Sequence, residues 1–388
     1  LDGTRITNND PNDASLLTDV SFQRQWVDTL QLQLAATEHG DARYFILGNE
    51  PSLWHETHRD VHAQGASMDA VRDRMIEYGS AIRDAAPEAI ILGPEEWGWT
   101  GYFFSGSDQQ WGREHGWSEF PDRNAHGGAD YLPWLLDQLR LEHERTGTRI
   151  LDVFTVHFYP QSGEFSDDTS PAMQALRNRS TRSLWDPDYV DESWIGDFGD
   201  RVMLIPRLRN WVDTHYPGTK IGITEYNWGA ESHMNGATAQ ADILGIFGRE
   251  GLDLATRWTT PEPGTPAYLA FKIYRNYDDR NSTFGDLSVR ATTSDPDVLS
   301  AFAAIRAADN ALTVMLVHKA LSESDDTDLE IRGFRSGWAE TWQLANGELK
   351  RIADQTLEDG TVSMVLPAQS VTILVFDHDG RKRSVKRR

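Results

Sequence analysis

The stretch Leu47-Gly48-Asn49-Glu50-Pro51 leads an apolar run directly into an amide, a carboxylate and a proline. The run that precedes it, Tyr44 to Leu47, is short and rich in aromatic and aliphatic residues, which is typical of a buried strand. Proline has no backbone N–H and is confined to the ends and edges of sheets, so the strand ends here. We therefore expect Asn49 and Glu50 at the carboxyl end of a strand.

Four further apolar runs also end in polar or aromatic residues, and helical stretches separate them. The five runs are Tyr44 to Leu47, Ile90 to Gly93, Asp152 to Tyr159, Lys220 to Thr224 and Leu254 to Trp258. The helical candidates lie near 21–37, 68–86, 129–146, 200–216 and 237–250. This alternation predicts βα units around a parallel sheet. Such folds build their sites at the carboxyl ends of the strands, so we expect the chemistry just after each run.

After about residue 285 the sequence changes to short β-type segments separated by turn residues. These segments are Leu312 to His318, Asp328 to Ile331, Ala339 to Leu344, Val362 to Leu366 and Val371 to Phe376. Asn346-Gly347 and Asp359-Gly360 match the chemistry of two-residue hairpin turns. We predict an α/β part over 1–285, a small antiparallel β-sandwich over 286–380 and a basic disordered tail over 381–388.

The composition argues against several classes of partner. The 388-residue chain has 60 acidic and 37 basic residues and a formal charge of -23, whereas nucleic-acid binding needs clustered Lys and Arg. The sequence contains no run of about 18 apolar residues that could span a bilayer. Because Cys is absent, we expect neither disulfides nor a thiolate metal site. The sequence therefore predicts neither a nucleic-acid partner nor a membrane partner.

A second carboxylate repeats the arrangement around Glu50. In Ile223-Thr224-Glu225-Tyr226-Asn227-Trp228 an apolar strand delivers Glu225 among hydrogen-bonding and aromatic groups. Retaining glycoside hydrolysis uses two carboxyl groups about 5–5.5 Å apart, one protonating the leaving oxygen and one attacking the anomeric carbon. The negative charge of Glu225 would help to keep Glu50 protonated. The alternative is that each glutamate caps a helix or pairs with an arginine, which is the commoner role of a single glutamate at a strand end.

Four longer motifs carry a resemblance to a known family. They are Gly48 to His58, Gly93 to Trp99, His157 to Gln161 and Thr224 to Gly229. Over essentially the whole chain the sequence resembles glycoside hydrolase family 44, whose members are endo-acting β-1,4-glucanases that often act on xyloglucan. The resemblance implies a (β/α)8 TIM-type barrel with a C-terminal β-sandwich, net retention and no cofactor for the chemistry. In the clan of this family the acid/base follows strand four and the nucleophile follows strand seven, which implies that Glu50 is the acid/base and Glu225 the nucleophile.

The resemblance also numbers the strands. Tyr44 to Glu50 corresponds to strand four and Leu254 to Trp258 to strand eight, so residues 1–285 are expected to hold strands four to eight of the catalytic barrel and to lack strands one to three. An incomplete barrel would expose a sheet edge and apolar helix faces, and we expect a tendency to aggregate.

Nine side chains near the strand ends are predicted to bind substrate. They are Asn49, Trp54, Glu96, Trp97, His157, Tyr159, Tyr226, Trp228 and Trp258. Asn49 would hydrogen-bond the sugar 2-hydroxyl, and Tyr226 or Tyr159 would orient the nucleophile. Flat Trp faces suit the apolar faces of sugars, although packing in the core is the alternative for each. Trp258 resembles the sugar platform of the clan.

Glu95 and Glu96 are rivals for the role of acid or nucleophile, because they too end an apolar strand. They lie one strand from Glu50, and the pairing of Glu50 with Glu225 is satisfied without them. Hydrogen bonding to substrate is therefore their preferred role.

The sequence gives only weak signals for metals. Some family members carry a structural calcium, for which Asn9, Asp10 and Asp13 form the one cluster worth naming, with a solvated turn as the alternative. His55, Thr57 and His58 mimic a metal site by spacing, but without an evident third ligand packing is favoured.

We predict a retaining endo-β-1,4-glucanase that hydrolyses cellulose-type glucans, xyloglucan or both by double displacement. Another barrel β-glycanase, such as a xylanase or a mannanase, would use the same two carboxylates. An inactive carbohydrate-binding fragment is the alternative outside enzymes. The predicted partner is a β-glucan, the predicted state is a monomer, and the size of the substrate predicts secretion.

Overall fold

The computed structural model of the chain describes residues 10–37, 40–197, 201–333 and 337–377. The chain divides into two units whose segments alternate along the sequence. The first unit comprises residues 1–158, 207–226 and 253–256, and the second comprises 159–206, 227–252 and 257–388. The predicted basic tail, 381–388, lies outside the described residues, and the predicted boundary at 285 stays a prediction.

The first unit contains a sheet of five parallel strands in the order β1-β2-β3-β4-β5. The strands are β1 Tyr44–Ile46, β2 Ile90–Glu96, β3 Val153–Phe158, β4 Lys220–Tyr226 and β5 Leu254–Ala255. Every residue of β3 is buried, which is typical of a parallel sheet that is covered on both faces. Each strand begins within one of the five apolar runs, so the predicted parallel α/β sheet is confirmed.

Helices lie between the strands, and capping residues define their ends. Over the described residues the helices are α1 Val20–Ala35, α2 Trp54–Thr57, α3 Met68–Ala85, α4 Trp99–Phe103, α5 Gly106–His115, α6 Pro121–Ala125, α7 Tyr131–Thr146, α8 Pro171–Ser180, α9 Trp194–Asp197, α10 Leu204–His215, α11 Met234–Glu250 and α12 Pro266–Arg275. The Ser67 hydroxyl accepts a hydrogen bond from the backbone N–H of Ala70 and so caps α3. Gly147, with φ 75°, ends α7 in the left-handed conformation that glycine adopts without strain.

The second unit contains antiparallel strands after residue 285. They are β6 Leu287–Val289, β7 Leu299–Arg306, β8 Ala311–His318, β9 Asp325–Glu330, β10 Trp338–Ala345, β11 Glu348–Arg351, β12 Gln355–Thr356, β13 Thr361–Leu366 and β14 Ser370–Phe376. Seven of them form one sheet along the path β11-β10-β14-β8-β7-β6, with β12 paired to β10, and β13 pairs with β9. Apolar side chains of both sheets share one core, for example Leu316 and Leu374 with Val362 and Leu366. This arrangement confirms a separate antiparallel β domain.

Two predicted hairpin turns are present in this unit. Asn346 and Gly347, with φ 54° and 77°, join β10 to β11, and Asp359 and Gly360, with φ 51° and 83°, precede β13. Both residues of each turn have positive φ, as two-residue hairpin turns of this kind require. Among the described helices of the whole chain, none is long and apolar enough to cross a membrane.

Candidate active site

The carboxyl ends of the strands in the first unit bring a group of ionisable side chains together. Glu50 follows β1 in the left-handed conformation, with φ 49° and ψ 54°, and Pro51 begins a short 3-10 turn directly after it. The backbone N–H of Glu50 donates to the carbonyl of Glu95 at 2.8 Å, which ties the end of β1 to β2. Non-glycine residues in this conformation cost on the order of 1 kcal/mol and concentrate at functional sites.

His157 on β3 lies between the two predicted catalytic glutamates. Its Nδ1 lies 3.1 Å from Oε1 of Glu50 and 3.5 Å from Oε2 of Glu225, and its side chain is only 1% exposed. One donor atom from each of Glu50, His157 and Glu225 lies within 4.8 Å of the other two. The structure therefore brings the two glutamates together, as the sequence predicted, with an imidazole between them.

Glu95 holds the other side of the imidazole. His157 Nε2 lies 3.0 Å from Oε2 of Glu95, and the hydroxyls of Thr155 and Thr224 donate to the two oxygens of the same carboxylate. The Glu95 side chain is almost completely buried, at 3% exposed. The sequence indicated only that Glu95 ends a strand, and nothing in it identified this carboxylate as the partner of His157.

Two β-bulges explain how these side chains meet. Between β2 and β3, Pro94 pairs with Thr155 and Glu96 pairs with Val156, so Glu95 is an extra residue. Between β3 and β4, Val156 pairs with Ile223 and His157 pairs with Glu225, so Thr224 is an extra residue. A bulge bends its strand and redirects the side chain of the extra residue. The two extra residues, Glu95 and Thr224, hydrogen-bond each other.

The charge on His157 follows from its partners. Burial alone would lower its pKa, but hydrogen bonds with Glu50 and Glu95 and the negative charges of Glu225 and Glu95 raise the pKa of His157 to about 9. At neutral pH the imidazole is therefore protonated on both nitrogens, so both ring nitrogens donate hydrogen bonds. The two N–H groups of His157 therefore stabilise negative charge on the carboxylates of Glu50, Glu225 and Glu95.

Glu96 differs from its neighbour Glu95. It is fully buried, and the hydroxyl of Ser52 donates to its Oε2 at 2.6 Å. Burial raises the pKa of Glu96 to about 8, so the side chain is a neutral acid at pH 7. The sequence predicted that Glu96 contacts substrate, but the structure places its side chain beneath the surface. A supporting role below Ser52 and Pro51 is favoured.

The other predicted binding residues of the first unit occupy different environments. Asn49 is exposed, and its carbonyl accepts a hydrogen bond from Nε1 of the half-buried Trp54 at 2.8 Å. Trp97 is also half-buried, and its Nε1 lies 3.3 Å from Oε1 of Gln109. Tyr226 is buried. Asn49, Trp54 and Trp97 thus keep surface for a ligand, whereas Tyr226 does not.

Three predicted binding residues belong to the second unit. Trp258 is 56% exposed and Tyr159 is half-buried. Trp228 is buried, and its Nε1 donates to the hydroxyl of Ser180 at 2.9 Å. For Trp228 the core alternative is therefore favoured, while the exposure of Trp258 agrees with a sugar platform.

The weak metal signals have other uses in the structure. Asp10 accepts hydrogen bonds from the backbone and side chain of Asn12 and so caps a short 3-10 turn, while Asn9 lies outside the described residues. His55 is buried, and the Thr57 hydroxyl lies 2.9 Å from Nδ1 of His58. A structural calcium stays a prediction.

Comparisons with known proteins place the chain in a family. The sequence profile of glycoside hydrolase family 44 matches residues 2–162. Endoglucanase A of Paenibacillus lautus is 34% identical over 359 residues, which are 89% of this chain and 49% of that protein, so the chain spans about half the length of this relative. Solved structures are also similar over most of the chain. CelM2, a bifunctional glucanase-xylanase from a metagenome library, is 58% identical with a TM-score of 0.94 and covers 97% of this chain and 72% of its own.

A xyloglucanase of Paenibacillus polymyxa from glycoside hydrolase family 44 is 30% identical with a TM-score of 0.81. The alignment covers 92% of this chain and 70% of that one. The family assignment therefore rests on the sequence profile, on relatives that match most of the chain and on the site described above. The chain belongs to glycoside hydrolase family 44.

Proposed function

We propose that this chain is a retaining endo-β-1,4-glucanase that hydrolyses cellulose-type glucans, xyloglucan or both. Glu225 is the nucleophile and Glu50 the acid/base. The five parallel strands of the chain are strands four to eight of a (β/α)8 barrel, and the antiparallel domain is the accompanying β-sandwich. Because such polymers do not enter cells, the enzyme works outside the cell.

The observation that carries this proposal is the short separation of the two carboxylates. A carboxylate oxygen of Glu50 and one of Glu225 lie within 4.8 Å of each other. Retaining glycosidases hold their carboxyl groups about 5–5.5 Å apart, whereas inverting enzymes need about 6.5–9.5 Å to admit a water molecule between the sugar and the base. The spacing here leaves no room for that water, which supports retention.

In the first step an oxygen of Glu225 attacks the anomeric carbon while the bond to the leaving sugar oxygen breaks. Glu50 gives its proton to that oxygen, so the step leaves a glycosyl ester on Glu225 and an ionised Glu50. In the second step Glu50 takes a proton from water, the water oxygen attacks the anomeric carbon, and the ester bond to Glu225 breaks. Two inversions give net retention.

The test compares the chain with its Glu225→Gln variant on xyloglucan and carboxymethyl-cellulose, measured as reducing-sugar release. We expect a loss of about 10³-fold or more in the variant, because the amide is a very poor nucleophile. Thermal unfolding and circular dichroism of both proteins check the fold. Proton NMR of the wild-type reaction should show the β-anomer of the new reducing end first, and an α-anomer would contradict retention.

A xylanase activity beside the glucanase activity is the second candidate. The observation that favours it is the similarity to CelM2, which is described as a bifunctional glucanase-xylanase. The two β-1,4-linked backbones differ in the C5 hydroxymethyl group, and the same pair of carboxylates would serve both. Reducing-sugar release from xylan, abolished together with glucan hydrolysis in Glu225→Gln, is the expected result.

A further inference from the structure

We propose that Glu95 is a positioning residue that holds His157 as a two-sided hydrogen-bond donor, so that the Nδ1–H of His157 follows the negative charge from Glu225 to Glu50 during the reaction. This inference rests on the proposed function, since it assigns a task within the double displacement. Glu95 touches neither substrate nor reacting atoms in this role, and it acts through His157.

The Glu95 carboxylate is fixed from several sides. Its oxygens accept hydrogen bonds from the hydroxyls of Thr155 and Thr224 and face Nε2 of His157 at 3.0 Å. Its backbone is left-handed, with φ 63°, and it is the extra residue of the bulge in β2. A buried carboxylate with this many donors is held in one orientation, so it can fix the plane of the imidazole.

The Nδ1 side of the imidazole is shared between the carboxylates of Glu50 and Glu225. Nδ1 of His157 lies 3.1 Å from Glu50 and 3.5 Å from Glu225, so one N–H lies close to both carboxylates while the ring keeps the orientation that Glu95 fixes. Before the first step Glu225 carries the negative charge and Glu50 carries the proton. After that step Glu225 is a neutral ester and Glu50 is ionised. A cation between them stabilises both arrangements without gaining or losing a proton.

Charge balance explains why Glu95 is needed. The groups that face His157 from the neighbouring strand ends of the first unit are Glu50, Glu95 and Glu225, and the hydroxyl of Tyr102 donates to the His157 carbonyl. Of the three carboxylates only Glu95 neither forms a bond to the sugar nor transfers a proton in the proposed reaction. Burial opposes protonation of the imidazole, and the hydrogen bond to Glu95 is one of the interactions that raise the pKa of His157.

A purely structural role is the alternative for Glu95, because its carboxylate also bridges β3 and β4 through the two threonine hydroxyls. The two roles differ in what they predict for His157. If Glu95 only joins the strands, its replacement lowers stability and leaves the titration of His157 unchanged in the folded protein. If Glu95 positions and charges His157, the titration and the turnover change together.

The experiment compares the wild-type chain with Glu95→Gln, Glu95→Asp and Glu164→Gln. NMR titration of the histidine side chains gives the midpoint of His157, whose signal is identified by its absence in His157→Asn. Kinetics on xyloglucan give kcat and KM. Glu164 is the matched control, because it is a buried carboxylate at 3% exposure that belongs to the second unit and accepts a hydrogen bond from the backbone N–H of Ser162.

In Glu95→Gln we expect the His157 midpoint to fall by about one pH unit or more and kcat to fall about 10- to 100-fold with KM changed little, since substrate contacts are untouched. Glu95→Asp keeps the charge, so it should restore most of the midpoint even where the shorter side chain restores only part of kcat. Glu164→Gln should leave both values as in the wild type.

A folded Glu95→Gln protein with the wild-type midpoint overturns the inference, and so does a lowered midpoint with unchanged kcat. If Glu95→Gln does not fold, Glu95→Asp decides: a His157 midpoint near the ordinary value of about 6.5 would contradict the role of the charge. The NMR titration needs no substrate. Absence of glucan hydrolysis by the wild type would therefore count against the proposed function, while the titration still tests the link between Glu95 and His157.

Discussion

The parallel sheet of the first unit and the antiparallel sheet of the second differ in the regularity of their strand pairing. From Ser370↔His318 to Phe376↔Leu312, β14 and β8 pair without a shift of register, and β7 pairs with β8 in the same regular way. In the parallel sheet both bulges fall at the ends of strands beside Glu95 and Thr224. Irregular pairing thus coincides with buried ionisable groups.

The difference has an energetic meaning. A regular sheet buries apolar side chains and satisfies its backbone, and each part contributes to stability. The bulges, the left-handed Glu50 and Glu95 and the desolvated Glu96 each lower stability, and they persist because the surrounding structure determines them. Replacing the glutamates proposed as catalytic at the ends of the parallel strands should therefore alter activity more than stability, and truncating core residues of the antiparallel sheet should do the reverse.

The largest expected effect is on activity and comes from Glu50→Gln. We expect turnover of xyloglucan to fall about 10²- to 10⁴-fold, because its leaving group needs a proton. An aryl β-cellobioside with a good leaving group should lose far less in the first step. The measurement is kcat/KM on both substrates, and equal losses on the two would contradict the assignment of Glu50 as the acid.

The next effect is on stability and comes from Leu374→Ala in β14. Leu374 is fully buried in the core shared by the two antiparallel sheets. Its truncation should lower the free energy of unfolding by about 2–5 kcal/mol through lost burial and the cavity that remains. Denaturant unfolding measures this change, and activity per folded molecule should stay at the wild-type level. A large loss of kcat in the folded Leu374→Ala protein would contradict the expectation that the antiparallel sheet affects stability and not activity.

The sequence predicted the parallel sheet well because apolar runs that end in polar groups are local features. It predicted the meeting of Glu50 and Glu225 because parallel strands bring their carboxyl ends to one edge. It did not predict the partner of His157. Strand alternation puts Glu95 and Glu96 on opposite faces, but only the bulge decides that Glu95 faces the imidazole, and bulges depend on pairing between distant segments.

One strand of the antiparallel sheet was not predicted from the sequence, for a different reason. The segment Leu299-Ser300-Ala301-Phe302-Ala303-Ala304-Ile305-Arg306 was absent from the predicted strands, since alanine favours helices and is depleted in sheets. In the structure it is β7, with buried and half-buried residues in strict alternation and β8 as its partner. Pairing with the buried strand β8 overrides the local helix preference. A short window of sequence contains no information about that pairing.

Glu96→Gln is expected to stabilise the protein, in the sheet whose site residues lower stability. The folded pKa of Glu96 is about 8 against an ordinary value of 4.5, so the unfolded chain loses this proton first as the pH rises. The wild type therefore loses stability relative to Glu96→Gln between about pH 4.5 and pH 8. The difference should be on the order of 4 kcal/mol at pH 8 and small at pH 4.5. Denaturant unfolding at both pH values measures it, and a gain that does not depend on pH would contradict the buried neutral acid.

The smallest expected effect comes from Ser363→Ala on β13. The Ser363 hydroxyl donates to Oδ1 of Asp328 at 2.6 Å across the pair β13-β9, but both side chains are exposed. Water replaces the lost hydrogen bond at such a position, so unfolding should change by less than about 0.5 kcal/mol and kcat should not change. Urea unfolding resolves this limit. A loss above about 1 kcal/mol would mean that the regular sheet also depends on its surface polar pairs, and then the contrast with the parallel sheet would be one of degree.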